Sequence, residues 1–153
     1  MGAIGTGGVL MLNESVVAVA GISPREIEDA ITREEIELER REQAYRDDRP
    51  PPDVQGRIVI LVDDGLATGA SMRAAAVGVR RLGAAVVVVA VPVAAGDTCR
   101  ELRVLADEVV CLATPEPFHA VGCWYADFSQ TSDDDVRALL ARARIEPPRV
   151  AVP

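Results

Sequence analysis

One stretch decides the fold of this chain: residues 59 to 71, which read VILVDDGLATGAS. Its first four residues are apolar and three of them are β-branched, a pattern that predicts a strand buried on both faces of a sheet. Two acids follow at Asp63 and Asp64, then a loop of small residues, then a helix that begins near Ala70. Because ligands of open α/β sheets bind at the carboxyl ends of strands, we expect this loop to be the functional site.

The residue types in the loop indicate which ligand it binds. Small residues allow backbone N–H groups to converge on an anion, and the start of the helix adds its dipole. Thr68 and Ser71 supply hydroxyl donors. The carboxylates of Asp63 and Asp64 would repel a phosphate but can accept hydrogen bonds from the two hydroxyls of a ribose. The stretch therefore predicts a sugar-phosphate site; the alternative is an ordinary strand–turn–helix, in which two acids without a ligand would be costly to bury.

Strands and helices alternate on the carboxyl side of this stretch. Buried strands are predicted at 57–62 and 86–91 (ended by Pro92), and a third strand at 108–112. Helices are predicted at 70–82 (stopped by Gly83), from Asp97 as cap to about 105, and from Ser132 as cap to 143. This alternation is typical of an α/β fold with a parallel sheet.

The amino-terminal third has a different character. Two short apolar runs joined by Gly5 to Gly8 predict a hairpin or a loose arm. Ser23 with Glu26 three residues later predicts the start of a charged helix that runs to about Tyr45, and a stiff polar connector follows at 47–52. We therefore expect a single domain over 1–153, with an appendage and linker at 1–52, an α/β core at 53–143 and a tail at 144–153.

Composition excludes several classes of protein. A chain of 153 residues that is 49% hydrophobic can bury the core of one domain, and a net charge of −8 argues against a nucleic-acid surface. The longest apolar stretch, 84–95, is too short for a membrane helix. We expect Cys99, Cys111 and Cys123 to be reduced core thiols of a cytoplasmic protein. The alternative is a metal site made by Cys111, His119 and Cys123.

Residues 59 to 71 resemble the signature with which type I phosphoribosyltransferases bind PRPP, 5-phosphoribosyl 1-diphosphate; all thirteen positions fit it. The resemblance implies a Rossmann-like parallel sheet, and it implies that Asp63 and Asp64 hold the ribose 2- and 3-hydroxyls and take part in catalysis. It also implies that the loop and the helix start bind the substrate through Gly65, Ala67, Thr68, Gly69, Ala70 and Ser71. Of these, residues 67 to 71 would cradle the 5-phosphate. Mg²⁺ would arrive with PRPP and have no direct protein ligand.

The resemblance extends over Met1 to Leu140, to a bacterial group of phosphoribosyltransferases whose substrates are not established. It implies transfer of the phosphoribosyl group to a nitrogenous base with release of pyrophosphate. The family's first strand and its pyrophosphate-binding loop are not recognisable between Met1 and Pro52, so we expect them to be absent and Met1 to be a truncated or misassigned start. This departure favours a rival function, a regulatory module that binds PRPP or a nucleotide without turnover. The identity of the acceptor base is left open, and so is whether the protein forms a homodimer.

Two aromatic residues follow the third strand, where the family completes its base pocket. Phe118 or Trp124 could stack on a planar base. The alternative is that they seal the sheet edge or a dimer contact. Asp127 is a weaker candidate for contact with the base or the metal.

The charged helix offers a second set of candidates. Arg40, Arg41 and Tyr45 lie where the family has a mobile region that closes over its site, so a cation here could approach pyrophosphate. The alternative is a solvated helix face. Arg73, one turn inside the helix that follows the loop, is expected to face solvent.

Overall fold

The computed structural model describes residues 2–5, 8–46 and 49–145. The helices and strands follow in this order: β1 (Gly2–Gly5), β2 (Val9–Leu12), α1 (Glu14–Ala20), α2 (Pro24–Arg46), β3 (Ile58–Val62), α3 (Ala70–Arg81), β4 (Val86–Val93), α4 (Gly96–Leu102), β5 (Glu108–Ala113), a 3₁₀ turn (Val121–Trp124) and α5 (Asp133–Ile145). None of the helices in these ranges is long and apolar enough to cross a membrane.

The centre of the molecule is a parallel sheet in the order β3-β4-β5. Ile58 to Val62 pair with Val86 to Ala90, and β4 pairs in the same direction with β5. One face of the sheet packs against α3 and α4 in a core of mostly aliphatic side chains; its members include Met72, Ala76, Val87, Val89, Val91 and Leu102. The predicted α/β class with a parallel sheet is confirmed.

Burial of β3 on both faces was predicted, and this is wrong. Val59 and Leu61 face the core, whereas Ile58, Ile60 and Val62 are 69%, 61% and 74% exposed. The exposed side chains belong to the face of the sheet opposite α3, which we call the outer face; Val110 and Leu112 of β5 are also exposed there. A run of β-branched residues satisfies the backbone preferences of a strand whether or not its second face is covered. The run therefore predicted the strand correctly and its burial incorrectly.

The amino-terminal segment packs on α3. β1 and β2 pair as an antiparallel hairpin in which Gly2 lies opposite Leu12. Of the two predicted alternatives, a hairpin or a loose arm, the structure shows the hairpin. Both of its strands contact α3, and Val9 is 2% exposed. Gly5 approaches the backbone of Ala74 so closely that a Cβ would lie 3.0 Å from its carbonyl oxygen. The hairpin is thus held against the helix that follows the loop.

Local signals located the longer helices well. The Oγ of Ser23 and the carboxylate of Glu26 exchange hydrogen bonds with each other's backbone N–H groups, and Ser132 does the same with Asp135. These capping boxes start α2 and α5 where the sequence predicts. The short helix α1 was not predicted, although the Asn13 side chain accepts a hydrogen bond from the Val16 N–H at 3.1 Å and caps it.

Two predicted boundaries near the sheet are wrong. β4 continues through Pro92 to Val93, because proline has a φ that suits a strand and costs only one backbone donor. α4 begins at Gly96 after Ala95, so Asp97 lies inside the helix and pairs with Arg100 instead of capping it. The predicted connector at 47–52 includes residues 47 and 48, which lie outside the described residues.

The cysteines are not three reduced core thiols, and this expectation is corrected. Cys99 of α4 and Cys111 of β5 form a disulfide, and Cys123 is a free thiol at the surface. Two cysteines twelve residues apart carry no sign of their pairing in the sequence. Because the disulfide uses the Cys111 thiol, the imagined metal site with His119 and Cys123 does not form.

Candidate functional site

The two acids lie directly after β3, at the carboxyl edge of the sheet. Asp63 is half-buried and Asp64 is exposed. The backbone N–H of Asp64 donates to Oδ1 of Asp63 at 2.8 Å. Burial raises the pKa of Asp63 above its ordinary value, and the charge of Asp64 adds to this effect while the N–H of Asp64 opposes it. The pair therefore offers acceptor oxygens to a ligand, and burial makes Asp63 harder to ionise than a free carboxyl group.

The loop after the acids is fixed to the end of β4 by backbone hydrogen bonds. The N–H of Leu66 donates to the carbonyl of Val93 at 3.0 Å, and the N–H of Ala95 donates to the carbonyl of Leu66 at 2.9 Å. Leu66 is 2% exposed and belongs to the core. The loop is therefore a built part of the sheet edge, with a hydrophobic anchor at its centre.

Two glycines allow the loop to approach its neighbours. Gly69 has φ +68°, a left-handed conformation, and a Cβ there would lie 2.6 Å from Cγ2 of Thr98. A Cβ at Gly65 would lie 2.7 Å from Cγ1 of Val121 and 2.9 Å from the carbonyl oxygen of Val93. Any larger residue at these positions would force the loop away from α4 or from the 3₁₀ turn.

Backbone donors are available where the loop enters α3. The N–H groups of residues 67 to 71 make no hydrogen bond within the described ranges 2–5, 8–46 and 49–145. The hydroxyl-bearing residues Thr68 and Ser71 are exposed, and the first turn of α3 contains no acid. Thr68 and Ala70 line a cavity of about 540 Å³. Free N–H groups at the start of a helix can bind an anion such as a phosphate. Two carboxylates, Glu14 and Glu101, also line this cavity.

Two residues that are far from the loop in the sequence donate hydrogen bonds to its backbone. The hydroxyl of Thr98 donates to the carbonyl of Ala67 at 2.7 Å, and the hydroxyl of Tyr125 donates to the carbonyl of Asp64 at 2.6 Å. The sequence did not single out either residue for this position. The only signal was that Tyr125 lies in an aromatic segment after the last strand and that Thr98 follows the end of β4.

The candidate aromatic residues lie near these hydrogen bonds, and their role in stacking on a base stays a prediction. Trp124 is 49% exposed in the 3₁₀ turn whose Val121 faces Gly65, and Phe118 is half-buried. Asp127 is exposed, and its carboxylate accepts a hydrogen bond from the Ser129 N–H at 2.9 Å, which lowers the pKa of Asp127. Asp127 therefore has a local partner in the turn that follows the aromatic segment.

The cations of α2 are bound elsewhere in this structure. Arg40 and Tyr45 both contact the carboxylate of Asp133 at the start of α5, at 2.7 and 2.6 Å. Arg41 pairs with Glu37 at 2.7 Å, and the two arginines, Arg40 first, lower the pKa of Glu37 to about 2. Closure over a ligand stays a prediction, and it would have to replace these contacts.

Arg73 does not simply face solvent, as the sequence suggested. Its side chain is 25% exposed and forms an ion pair with Glu101 across the gap between α3 and α4. Both residues line the same cavity as Thr68. The pair closes one side of the loop and neutralises a carboxylate that would otherwise oppose an anion.

The fold and the site define a class: an α/β protein whose parallel sheet carries, at its carboxyl edge, an acid pair and a loop with free backbone N–H groups. The family model described as the phosphoribosyl transferase domain matches residues 7–126, and the chain belongs to this family.

Two curated proteins and one solved structure are similar to this chain. Two curated proteins of Mycobacterium tuberculosis, "Putative phosphoribosyl transferase MT0597" and "Putative phosphoribosyl transferase Rv0571c", are each 48% identical over 93% of this chain and 32% of their own length. The chain thus spans about a third of the curated relatives that it matches. The crystal structure of TT1426 from Thermus thermophilus is 42% identical, with a TM-score of 0.71, over 92% of this chain and 66% of that one.

Proposed function

We propose that this chain binds PRPP and contributes to transfer of its 5-phosphoribosyl group to a nitrogenous base. In this reaction a nitrogen of the base forms a bond to C1 of the ribose, the bond from C1 to the pyrophosphate oxygen breaks, and pyrophosphate leaves with the electron pair. The nitrogen then loses its proton. The observation that carries the proposal is the juxtaposition after β3 of an acid pair and a loop with free N–H groups.

Each part of the site suits one part of the substrate. Asp63 and Asp64 would accept hydrogen bonds from the 2- and 3-hydroxyls of the ribose, and binding of these donors favours the ionised form of Asp63. The N–H groups of residues 67 to 71, with the hydroxyls of Thr68 and Ser71, would hold the 5-phosphate. Fixing the ribose at both ends would present C1 to the attacking nitrogen, so the chain contributes orientation.

Magnesium fits this site as part of the substrate. Among the residues that the structure describes, no group of three or more His, Cys, Asp or Glu side chains could hold a metal ion. Mg²⁺ keeps several water ligands and is usually bound through one or two carboxylates together with substrate phosphates, so the acid pair suits a ribose whose pyrophosphate carries the ion. The ion would supply charge neutralisation on the leaving pyrophosphate.

A regulatory module that binds PRPP or a nucleotide without turnover is the second candidate. The observation that favours it is that the described residues before β3 form a separate antiparallel hairpin and helices, and add no strand to the parallel sheet. On that arrangement, ribose 5-phosphate and PRPP should bind, but a nitrogenous base should not release pyrophosphate.

Calorimetry with ribose 5-phosphate and with Mg-PRPP tests the binding proposal. We expect Asp63→Asn/Asp64→Asn to weaken binding strongly, because each charge-assisted hydrogen bond contributes about 1.5–3 kcal/mol. A matched control is Asp53→Asn/Asp134→Asn, which removes the same charge from two exposed acids away from the loop. Equal affinities in both double variants would show that the acid pair does not bind the ribose.

An assay of pyrophosphate release separates the two candidate functions. PRPP is incubated with a panel of purine and pyrimidine bases, and pyrophosphate is measured against a sample without base. Release that depends on one base supports the transferase and identifies its acceptor. Binding without base-dependent release supports the regulatory module.

A further inference from the structure

We infer that Thr98 and Tyr125 are positioning residues, whose hydroxyls hold the loop at residues 64 to 71 so that its N–H groups face a ligand. The inference rests on the proposed ribose-phosphate site and adds to it a means of preorganisation. Neither side chain has to touch the ligand; each acts through one peptide group of the loop. Both hydrogen bonds join segments far apart in the sequence, 31 residues for Thr98 and 61 for Tyr125.

Thr98 fixes the peptide group between Ala67 and Thr68. Thr98 is 6% exposed, and its hydroxyl donates to the Ala67 carbonyl at 2.7 Å. In a planar trans peptide the carbonyl and the following N–H point in opposite directions. Because the Ala67 carbonyl is turned toward α4, the N–H of Thr68 is turned away from it. Thr68 lines the cavity of about 540 Å³ beside the loop. The hydrogen bond from Thr98 to the Ala67 carbonyl therefore sets the direction of the Thr68 N–H from the opposite side of the peptide group.

Tyr125 acts in the same way on the peptide group between Asp64 and Gly65. Its hydroxyl donates to the Asp64 carbonyl at 2.6 Å, so the N–H of Gly65 points away from the tyrosine. The cis peptide bond in the described part of the chain is Glu116–Pro117, so both loop peptides are trans and the geometric argument applies to each. Together with the anchor at Leu66, the two hydroxyls fix the loop on both sides of its centre.

Packing alone is the competing explanation for both side chains. Cγ2 of Thr98 lies beside Gly69, and the ring of Tyr125 lies 5.3 Å from the ring of Phe128. The two explanations rank the variants of Thr98 differently. Thr98→Val keeps the shape and loses the donor, whereas Thr98→Ser keeps the donor and loses the methyl group. Tyr125→Phe keeps the ring and loses only the hydroxyl.

Binding of ribose 5-phosphate by the full chain is the first readout. We expect Thr98→Val and Tyr125→Phe to bind about three- to tenfold more weakly, the effect of one hydrogen bond, and Thr98→Ser to remain closer to the parent. Thr32→Val is the control, because it removes a threonine hydroxyl that donates to a backbone carbonyl, Glu28, within α2. If Thr98→Ser loses as much affinity as Thr98→Val, packing explains the site and the inference is overturned.

Hydrogen exchange of backbone amides is the second readout, and it requires no ligand. The N–H groups of Leu66 and Ala95 are hydrogen-bonded across the loop and report its opening. We expect both to exchange faster in Thr98→Val and Tyr125→Phe than in the parent or Thr32→Val. Unchanged exchange would overturn the inference. If the parent fails to bind ribose 5-phosphate but the exchange responds as expected, the proposed function fails while the positioning role stands.

Discussion

Replacement of Gly69 by alanine should destabilise the protein through two separable effects. Gly69 has φ +68°, and a left-handed conformation costs a residue with a side chain about 1–2 kcal/mol. The new Cβ would also lie 2.6 Å from Cγ2 of Thr98, which is buried and cannot move freely. Overpacking of this kind adds about 1–3 kcal/mol. The sum of about 2–5 kcal/mol is a large part of the total stability of a domain of this size, about 5–15 kcal/mol.

The chain contains a matched control for the backbone effect. Gly56 also has φ +68°, but a Cβ there meets nothing within 4 Å. Gly56→Ala should therefore cost only the conformational part, about 1–2 kcal/mol. The double variant Gly69→Ala/Thr98→Ser removes the opposing methyl group, and it should recover most of the overpacking cost.

Equilibrium unfolding in urea measures all of these variants on one scale. The difference between Gly69→Ala and Gly56→Ala isolates the contact with Thr98, and the double variant tests the same contact independently. If Gly69→Ala costs no more than Gly56→Ala, the close approach of the loop to α4 is refuted. Failure of Thr98→Ser to recover stability would refute it as well.

Three further predictions concern charge and the disulfide. The N–H of Val87 donates to Asp107 and is the main reason that the pKa of Asp107 is lowered. Asp107 therefore stabilises the fold above its unfolded pKa near 3.8, and this contribution is lost as the pH falls through its folded pKa. Asp107→Asn should flatten the decline of Tm between about pH 5 and the acid range, where carboxyl groups titrate. For Asp63 the sign is opposite: burial raises its pKa, so its ionisation in the folded protein lowers stability above the unfolded pKa. Asp63→Asn should therefore raise the Tm of the free protein at neutral pH and have little effect in acid. A lower Tm at neutral pH would contradict this. Reduction of the disulfide between Cys99 and Cys111 should lower the free energy of unfolding, by at most about 3 kcal/mol. The measurement is unfolding in urea with and without dithiothreitol. An unchanged midpoint of the unfolding transition would contradict a stabilising disulfide.

Local patterns predicted most of the longer helices and the strands of the sheet. The run at Ile58–Val62 and the capping boxes at Ser23 and Ser132 depend on residues within one turn or one strand of each other, so the sequence alone was enough. The exposure of Ile60 could not be predicted in this way. Whether the outer face is covered depends on what else packs on the sheet, and a β-branched run is the same in both cases.

The sequence predicted which residues form the candidate site, but not which distant residues hold its loop in place. Asp63, Asp64 and the small loop residues are contiguous in the sequence, so their pattern was visible. The contacts of Thr98 and Tyr125 join segments that only the tertiary structure brings together. The pairing of Cys99 with Cys111 is of the same kind, because spacing does not determine connectivity.

The outer face of the sheet has a consequence for how the protein behaves in solution. Ile58, Ile60 and Val62 present an apolar surface on a strand whose second edge has no partner strand among the described residues, and such edges promote association between copies. The net charge of −8 makes copies of the chain repel one another. At an ionic strength of about 0.1 M this repulsion extends only about 10 Å, and more salt shortens it further. The protein should therefore be most soluble in dilute buffer and should self-associate as salt is added.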